Sequence, residues 1–322
     1  MTAYDVFNGD ADGLCALQQL RLAAPRDTVL VTGPKRYIAL LDRIAPRAGD
    51  EITVLDVSLD RNRAALDRAL AAGANVRWFD HHHAGAVPAH ARLEAHIDEA
   101  PETCTSLIVD RHLAGAHRAW AVTGAFGDNL GAVAIALAQP LALDAAALDT
   151  LRALGQSLNY NAYGETAADL VVAPDDLARR MRPYAHPLEF AAREPCVAEL
   201  HARRHADLAA AAAVTPEHAD DRIAVYRLPE APWARRVGGT FAHQLARTHP
   251  RRAHAVLGPN GDGTYWASLR APLAAPRGAG ALARAFHTGG GREGAAGIER
   301  LPESRIPDLI RALAAAYGDR GH

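Results

Sequence analysis

The stretch FNGDADGLCA, residues 7 to 16, sets Asp10 and Asp12 two positions apart, after a short apolar run and before a helical pattern. Carboxylates this close repel one another. Extended backbone over residues 8 to 12 turns Asn8, Asp10 and Asp12 to one side. Two later apolar runs also end in polar groups: VLDVS in Asp56, and RWFDHHH in Asp80, His81, His82 and His83. Further on, GAFGDN places Asp128 in a turn flanked by glycine. Each stretch alone is weak. A DxD before a helix is ordinarily capping chemistry, an Asp after a strand is ordinarily a turn, and a His triplet can be a solvated loop. Together, carboxylates and imidazoles gathered at strand ends suit a hard or borderline divalent cation such as Mn2+, whose charge would neutralise them.

The elements that must position these groups follow from periodicity. Runs rich in β-branched and aromatic residues, at residues 4–7, 28–32, 52–57 and 76–79, alternate with helical patterns. Leu14, Leu17, Leu20 and Ala24 recur at helical spacing after Asp12, and Ala65, Leu66 and Leu70 do so after Asp60. This alternation predicts an α/β fold with a doubly wound, mostly parallel sheet and helices on both faces. Its strands would deliver their polar ends to one edge, where open α/β sheets bind ligands. Residues 107–182 read as mainly helical, and residues 187–214 as a connecting helix interrupted near Pro195. A second, smaller α/β unit follows. It has a strand at 223–228, a helix at 241–248, and a hairpin of 253–257 with 264–269 across PNGDG, a good turn signal. The expected domains are therefore 1–186, a helical linker 187–214, and 215–322.

Bulk properties exclude some classes. The chain has 322 residues and a formal net charge of -2, so no global field draws in long nucleic acid or anionic membrane. Lys35 is the only lysine, and the many arginines read as compositional bias. Cys15, Cys104 and Cys196 form no CxxC pair, which suits a reducing cytoplasm. No signal peptide and no membrane-spanning run is visible. Cys15, Trp78 and Phe79 are expected in the core.

The stretches NGDADG, LDVS, DHH and GAFGDN resemble the four motifs of the DHH phosphoesterase superfamily. GGGREGAAG, residues 289–297, resembles the glycine-rich signature of the C-terminal domain that accompanies DHH in its first subfamily. The resemblance implies two domains and a pair of divalent ions, Mn2+ first and Mg2+ as the other choice. It implies Asp10 on one ion, Asp12 on the other, Asp56 bridging, and His81 and Asp128 as further ligands. Asp80 would orient its neighbours, and His82 would face the scissile phosphate. Asn8 departs from the pattern, since relatives often carry His or Asp there, so it would ligate weakly or through water.

In the second domain the resemblance implies that Gly289, Gly290, Gly291, Arg292 and Arg270 grip substrate. Consecutive glycines let backbone amides approach an anion, and Arg can hold phosphate bidentately. Many relatives have His where Arg292 stands. The compact members of the superfamily hydrolyse short oligonucleotides and nucleotide phosphates such as 3′-phosphoadenosine 5′-phosphate, which is the activity expected here. RecJ-type exonucleases carry further domains that a chain of this length does not accommodate. Hydrolysis of cyclic dinucleotides and a non-catalytic nucleotide sensor stand as alternatives, as does action on aminoacyl-tRNA, though no broad basic surface is visible for that. Pairing as a homodimer is compatible with these features.

Overall fold

The computed structural model describes residues 1–318, and these divide into two compact units, Met1–Arg203 and the segment from Arg204 onward. The division falls inside a helix, Pro195–Ala212, which begins where Pro195 interrupts the helical segment expected from 187.

The first unit opens with β1 (Ala3–Phe7), α1 (Ala11–Ala23), β2 (Val29–Val31), β3 (Glu51–Leu55), α2 (Arg63–Ala71), β4 (Asn75–Asp80) and β5 (Leu93–Ile97). It continues with α3 (Thr105–His112), α4 (Arg118–Gly127), α5 (Gly131–Ala138), α6 (Ala145–Asn161), α7 (Pro174–Met181) and α8 (Pro187–Arg193), and the division falls within α9 (Pro195–Ala212). Its five strands lie in the order β2-β1-β3-β4-β5, and every neighbouring pair is parallel. The edge strand β5, with the polar sequence LEAHI, lacks the apolar run that marked the others.

Alternate strand residues go to opposite faces, as a two-residue period requires. Phe7, Leu55 and Phe79 join a core with Leu14 and Leu17 of α1, Trp120 of α4, and Leu154 and Leu158 of α6. Their neighbours Val6, Val54 and Trp78 enter a second core with Leu66 and Leu70 of α2. A sheet covered on both faces is thus built from consecutive residues of three strands.

The second unit holds β6 (His218–Ala219), β7 (Ile223–Arg227), α10 (Pro232–Thr248), β8 (Ala253–Pro259), β9 (Thr264–Arg270), α11 (Ala279–Arg284), β10 (Gly289–Gly291), β11 (Ala295–Pro302) and α12 (Ile306–Tyr317). Its six-stranded sheet runs β10-β11-β9-β8-β7-β6, with β7 and β8 parallel and β8 and β9 forming the expected hairpin. Leu257, Leu269, Ile298, Leu309 and Leu313 close its core. Among the described residues no helix is long and apolar enough to cross a membrane, and the three cysteines are free and buried.

Helices α4 and α6 meet through bare backbone. A Cβ on Gly155 would lie 2.2 Å from the Thr123 carbonyl oxygen and 3.0 Å from the Gly127 nitrogen. Neither neighbour is a side chain that can rotate away. Gly155→Ala is therefore expected to destabilise the first unit by roughly 1–3 kcal/mol, the usual range for overpacking, read as a lower urea midpoint. An unchanged midpoint would show that the helices separate freely here.

Candidate metal centre

The strand order places the first candidate groups. The chain goes from β1 to β2 on one side, then crosses to β3 on the other, so β1 and β3 flank a topological switch point. Asp10 follows β1, Asp56 follows β3 and Asp80 ends β4. All three carboxylates, with Asp12, are buried.

Each acid is held differently. Asp10 is the N-cap of α1: its Oδ1 accepts from the Asp12 and Gly13 amides at 3.0 and 3.1 Å. Its Oδ2 accepts from the Lys35 ammonium at 2.5 Å. Burial works against the Asp10 carboxylate, but the charge and hydrogen bond of Lys35, with the Gly13 amide, outweigh it and bring its pKa down to about 2. Asp12 sits in the first turn of α1, yet caps another helix. Its two oxygens accept from the Thr105 and Ser106 amides, both at 2.7 Å, at the start of α3.

Asp56 has φ of 57°, a left-handed conformation uncommon outside glycine but tolerated by Asp and Asn. Its Oδ1 accepts from the Thr105 hydroxyl at 3.2 Å and lies 3.4 Å from His81 Nε2. Burial pushes the Asp56 carboxyl well above the usual carboxylate range, and the charges of Asp10 and Asp12 add to the push. Asp128 behaves alike: burial first, then Asp12, raise it to about 6. The expected glycine-flanked turn at Asp128 is instead the C-terminal cap of α4, because Gly124 and Gly127 remain helical.

Asp80 is fully buried. Its Oδ1 meets His82 Nδ1 at 2.7 Å, while its Oδ2 has no hydrogen-bond partner. The His82 ring is partly buried, which works against its charge, but the hydrogen bond and charge of Asp80 outweigh this and raise its pKa. Asp56, His81 and His82 each offer a ligand atom, all within 4.8 Å of one another. The Asn8 Oδ1 is also buried without a partner. His83 turns outward to Glu99. At Asp56 and Asp128 burial and the neighbouring carboxylates thus outweigh the charge of Lys35, while imidazole and carboxylate donors face each other, and these features fit a divalent cation.

Sequence reasoning missed Lys35 and Thr105 as members of this cluster. The signal for Lys35 was its being the sole lysine, just after the second strand. Thr105 left no signal, because its position depends on α3 arriving from far along the chain. A second group, Glu94, His96 and His112, lies by the edge strand β5, where Arg77 already pairs with Glu94 at 3.1 Å.

The remaining candidates lie in the second unit. Gly289, Gly290 and Gly291 form the edge strand β10 rather than an open loop. A Cβ on Gly289 would fall 1.8 Å from the Ala283 carbonyl oxygen, so glycine there lets α11 lie against the strand. Arg292 follows and is exposed. Arg270 ends β9, and its guanidinium donates to the Ser268 hydroxyl at 3.1 Å and the Leu269 carbonyl at 2.9 Å.

No protein-family model and no curated protein matches the chain. Solved structures do. RecJ of Thermus thermophilus in complex with Mn2+ aligns with a TM-score of 0.66 at 19% identity, over 98% of this chain and 52% of that one. This chain therefore spans about half the length of that RecJ. An exonuclease RecJ bound to manganese aligns at 0.61 and 18% identity, over 100% of this chain and 91% of that one. A pGpG-specific phosphodiesterase, PggH of Vibrio cholerae, aligns at 0.53 and 15% identity over 98% of both chains. At these identities the likeness establishes a shared fold.

Asp56→Asn keeps the left-handed backbone and the volume but removes the charge. It is expected to leave the fold intact and abolish the rise in melting temperature that Mn2+ gives by binding the native state. Asp12→Ala is expected to cost about 1–2 kcal/mol even in chelator, the range for losing a helix cap. A Mn2+ shift retained by Asp56→Asn would remove Asp56 from the ion's ligands.

Proposed function

We propose, for a chain that shares the fold of DHH phosphoesterase structures, that it is a divalent-metal-dependent phosphoesterase acting on short oligonucleotides and nucleotide phosphates. The observation that carries this reading is the gathering of Asp10, Asp12, Asp56 and Asp80, all buried, with His81 and His82 at the ends of β1, β3 and β4. In this reading Asp56, His81 and Asp128 hold the ion, Mn2+ first, and Asp10 and Asp12 border it. A bound divalent ion supplies Lewis acidity toward water and a phosphoryl oxygen.

The protein's own groups do the rest. Asp80 fixes the His82 ring through Nδ1, leaving Nε2 for a phosphate or leaving-group oxygen. The Asp80 carboxylate favours the protonated ring, so His82 can donate to that oxygen as charge develops. His82 is 42% exposed, open enough to meet a substrate. Thr105 holds Asp56 in place from the start of α3. Arg270 and Arg292 are the proposed phosphate-binding residues of the second unit.

The short-substrate reading is supported by the likeness to PggH over 98% of both chains. The RecJ structures favour a second reading, removal of nucleotides from a longer strand. A panel with Mn2+ separates them: pGpG and other linear dinucleotides, 3′-phosphoadenosine 5′-phosphate, a cyclic dinucleotide, and a long single strand. Fastest turnover is expected on the linear dinucleotides. His82→Ala should lower kcat about 10²–10⁴-fold, the range for a lost general acid, with Mn2+ affinity nearly unchanged. Preference for the long strand would replace the substrate assignment, and full activity of His82→Ala would remove His82 from the mechanism.

A further inference from the structure

We propose that the Lys35 ammonium is a resident cation of this centre, holding the Asp10 end in place of a second divalent ion, so that the chain binds one divalent ion rather than two. The inference rests on the metal-dependent reading above and refines it.

Three observations converge on the Asp10 end. First, both Asp10 oxygens are engaged. Oδ1 accepts two amides at the head of α1, and Oδ2, the atom left for an ion, accepts the Lys35 ammonium at 2.5 Å. Second, Lys35 is built in rather than draped over the site. Its amide donates to the Ala162 carbonyl at 2.9 Å, its Nζ lies 5.9 Å from the centre of the Tyr163 ring, and its side chain is only 30% exposed. An ammonium is a compact point charge with donors in several directions, closer to a small cation than the flat fork of Arg. In a chain that otherwise uses Arg for its basic side chains, the one lysine stands here. Third, the residue next to this end is Asn8, and a neutral amide is a poorer ligand for Mn2+ than imidazole or carboxylate.

The other end of the centre keeps strong ligands. His81 Nε2 lies 3.4 Å from Asp56 Oδ1. The fully buried Asp80 Oδ2 is without a partner. A divalent ion brought to Asp10 Oδ2 would have to displace the ammonium or sit beside a like charge. One brought to Asp56 and His81 meets a carboxylate and an imidazole with no ammonium bound to either. Lys35 then serves as a fixed charge that chelators cannot remove.

The test counts ions rather than turnover. Wild-type protein is titrated with Mn2+ by calorimetry, and bound ions per chain are checked by equilibrium dialysis and electron paramagnetic resonance. The expected result is about one ion per chain with the six-line signal of an isolated Mn2+, whereas two-metal centres hold their ions roughly 3.5–4 Å apart and couple them. Lys35→Met removes the charge at nearly constant length and should raise the count to about two, with a coupled spectrum, while Lys35→Arg keeps the charge and the single ion. Two coupled ions in the wild type would overturn the proposal, and so would a Lys35→Met protein that still binds one. If Lys35→Met does not fold, the wild-type and Lys35→Arg counts decide. Failure of the metal-dependent reading itself looks different: no ion bound by the wild type and no phosphoester hydrolysed.

Discussion

Burying carboxylates at the ends of adjacent parallel strands is the constraint that organises this molecule. An ionised acid removed from water is costly unless something positive or a set of donors replaces the water. The protein meets that demand differently at each position. Asp10 is answered by the head of α1 and by Lys35. Asp12 is answered by the head of α3, which ties that helix to the sheet. Asp80 is answered by His82, and only on one oxygen. Asp56 and Asp128 are answered only in part: burial and the neighbouring carboxylates outweigh the charge of Lys35 and leave both pKa values raised. That unmet demand is what a divalent cation would satisfy.

The scaffold is arranged so that this demand cannot relax away. The acids stand on strand ends and helix heads rather than on long loops, and the strands beneath them are buried on both faces. Asp56 is held with a positive φ immediately after β3, a conformation that costs of order 1–3 kcal/mol and persists only where its surroundings enforce it. Thr105 and the amide of Asp56, bonded to the Phe79 carbonyl at 3.0 Å, provide that enforcement. Backbone-to-backbone packing of α4 on α6 then keeps Asp128, at the end of α4, from drifting.

Much of this is legible in the residues, and the failures have physical reasons. The alternation of apolar runs with helical spacing announces the doubly wound sheet, because both faces of β1, β3 and β4 are apolar. The edge strand β5 escapes notice because an edge can afford Glu94 and His96. The DxD pattern supports two readings, capping and metal binding, and the structure shows that capping accounts for the Asp12 oxygens and for Asp10 Oδ1. The glycine run reads as an anion loop from composition alone. Only its closeness to Ala283 reveals that the glycines also let a helix pack on an edge strand. Lys35 was conspicuous as the sole lysine, but nothing local tells that the chain after β2 brings it to Asp10. Such long-range placement depends on strand order, which short motifs do not encode.

The central proposal is that Asp56, His81 and Asp128 hold a divalent cation. Crystals grown with Mn2+ and measured at the manganese edge test this directly. The account expects an anomalous peak bounded by those three side chains, with Lys35 still on Asp10 Oδ2. A peak only at Glu94, His96 and His112, or none in a protein that hydrolyses dinucleotides without metal, would contradict it.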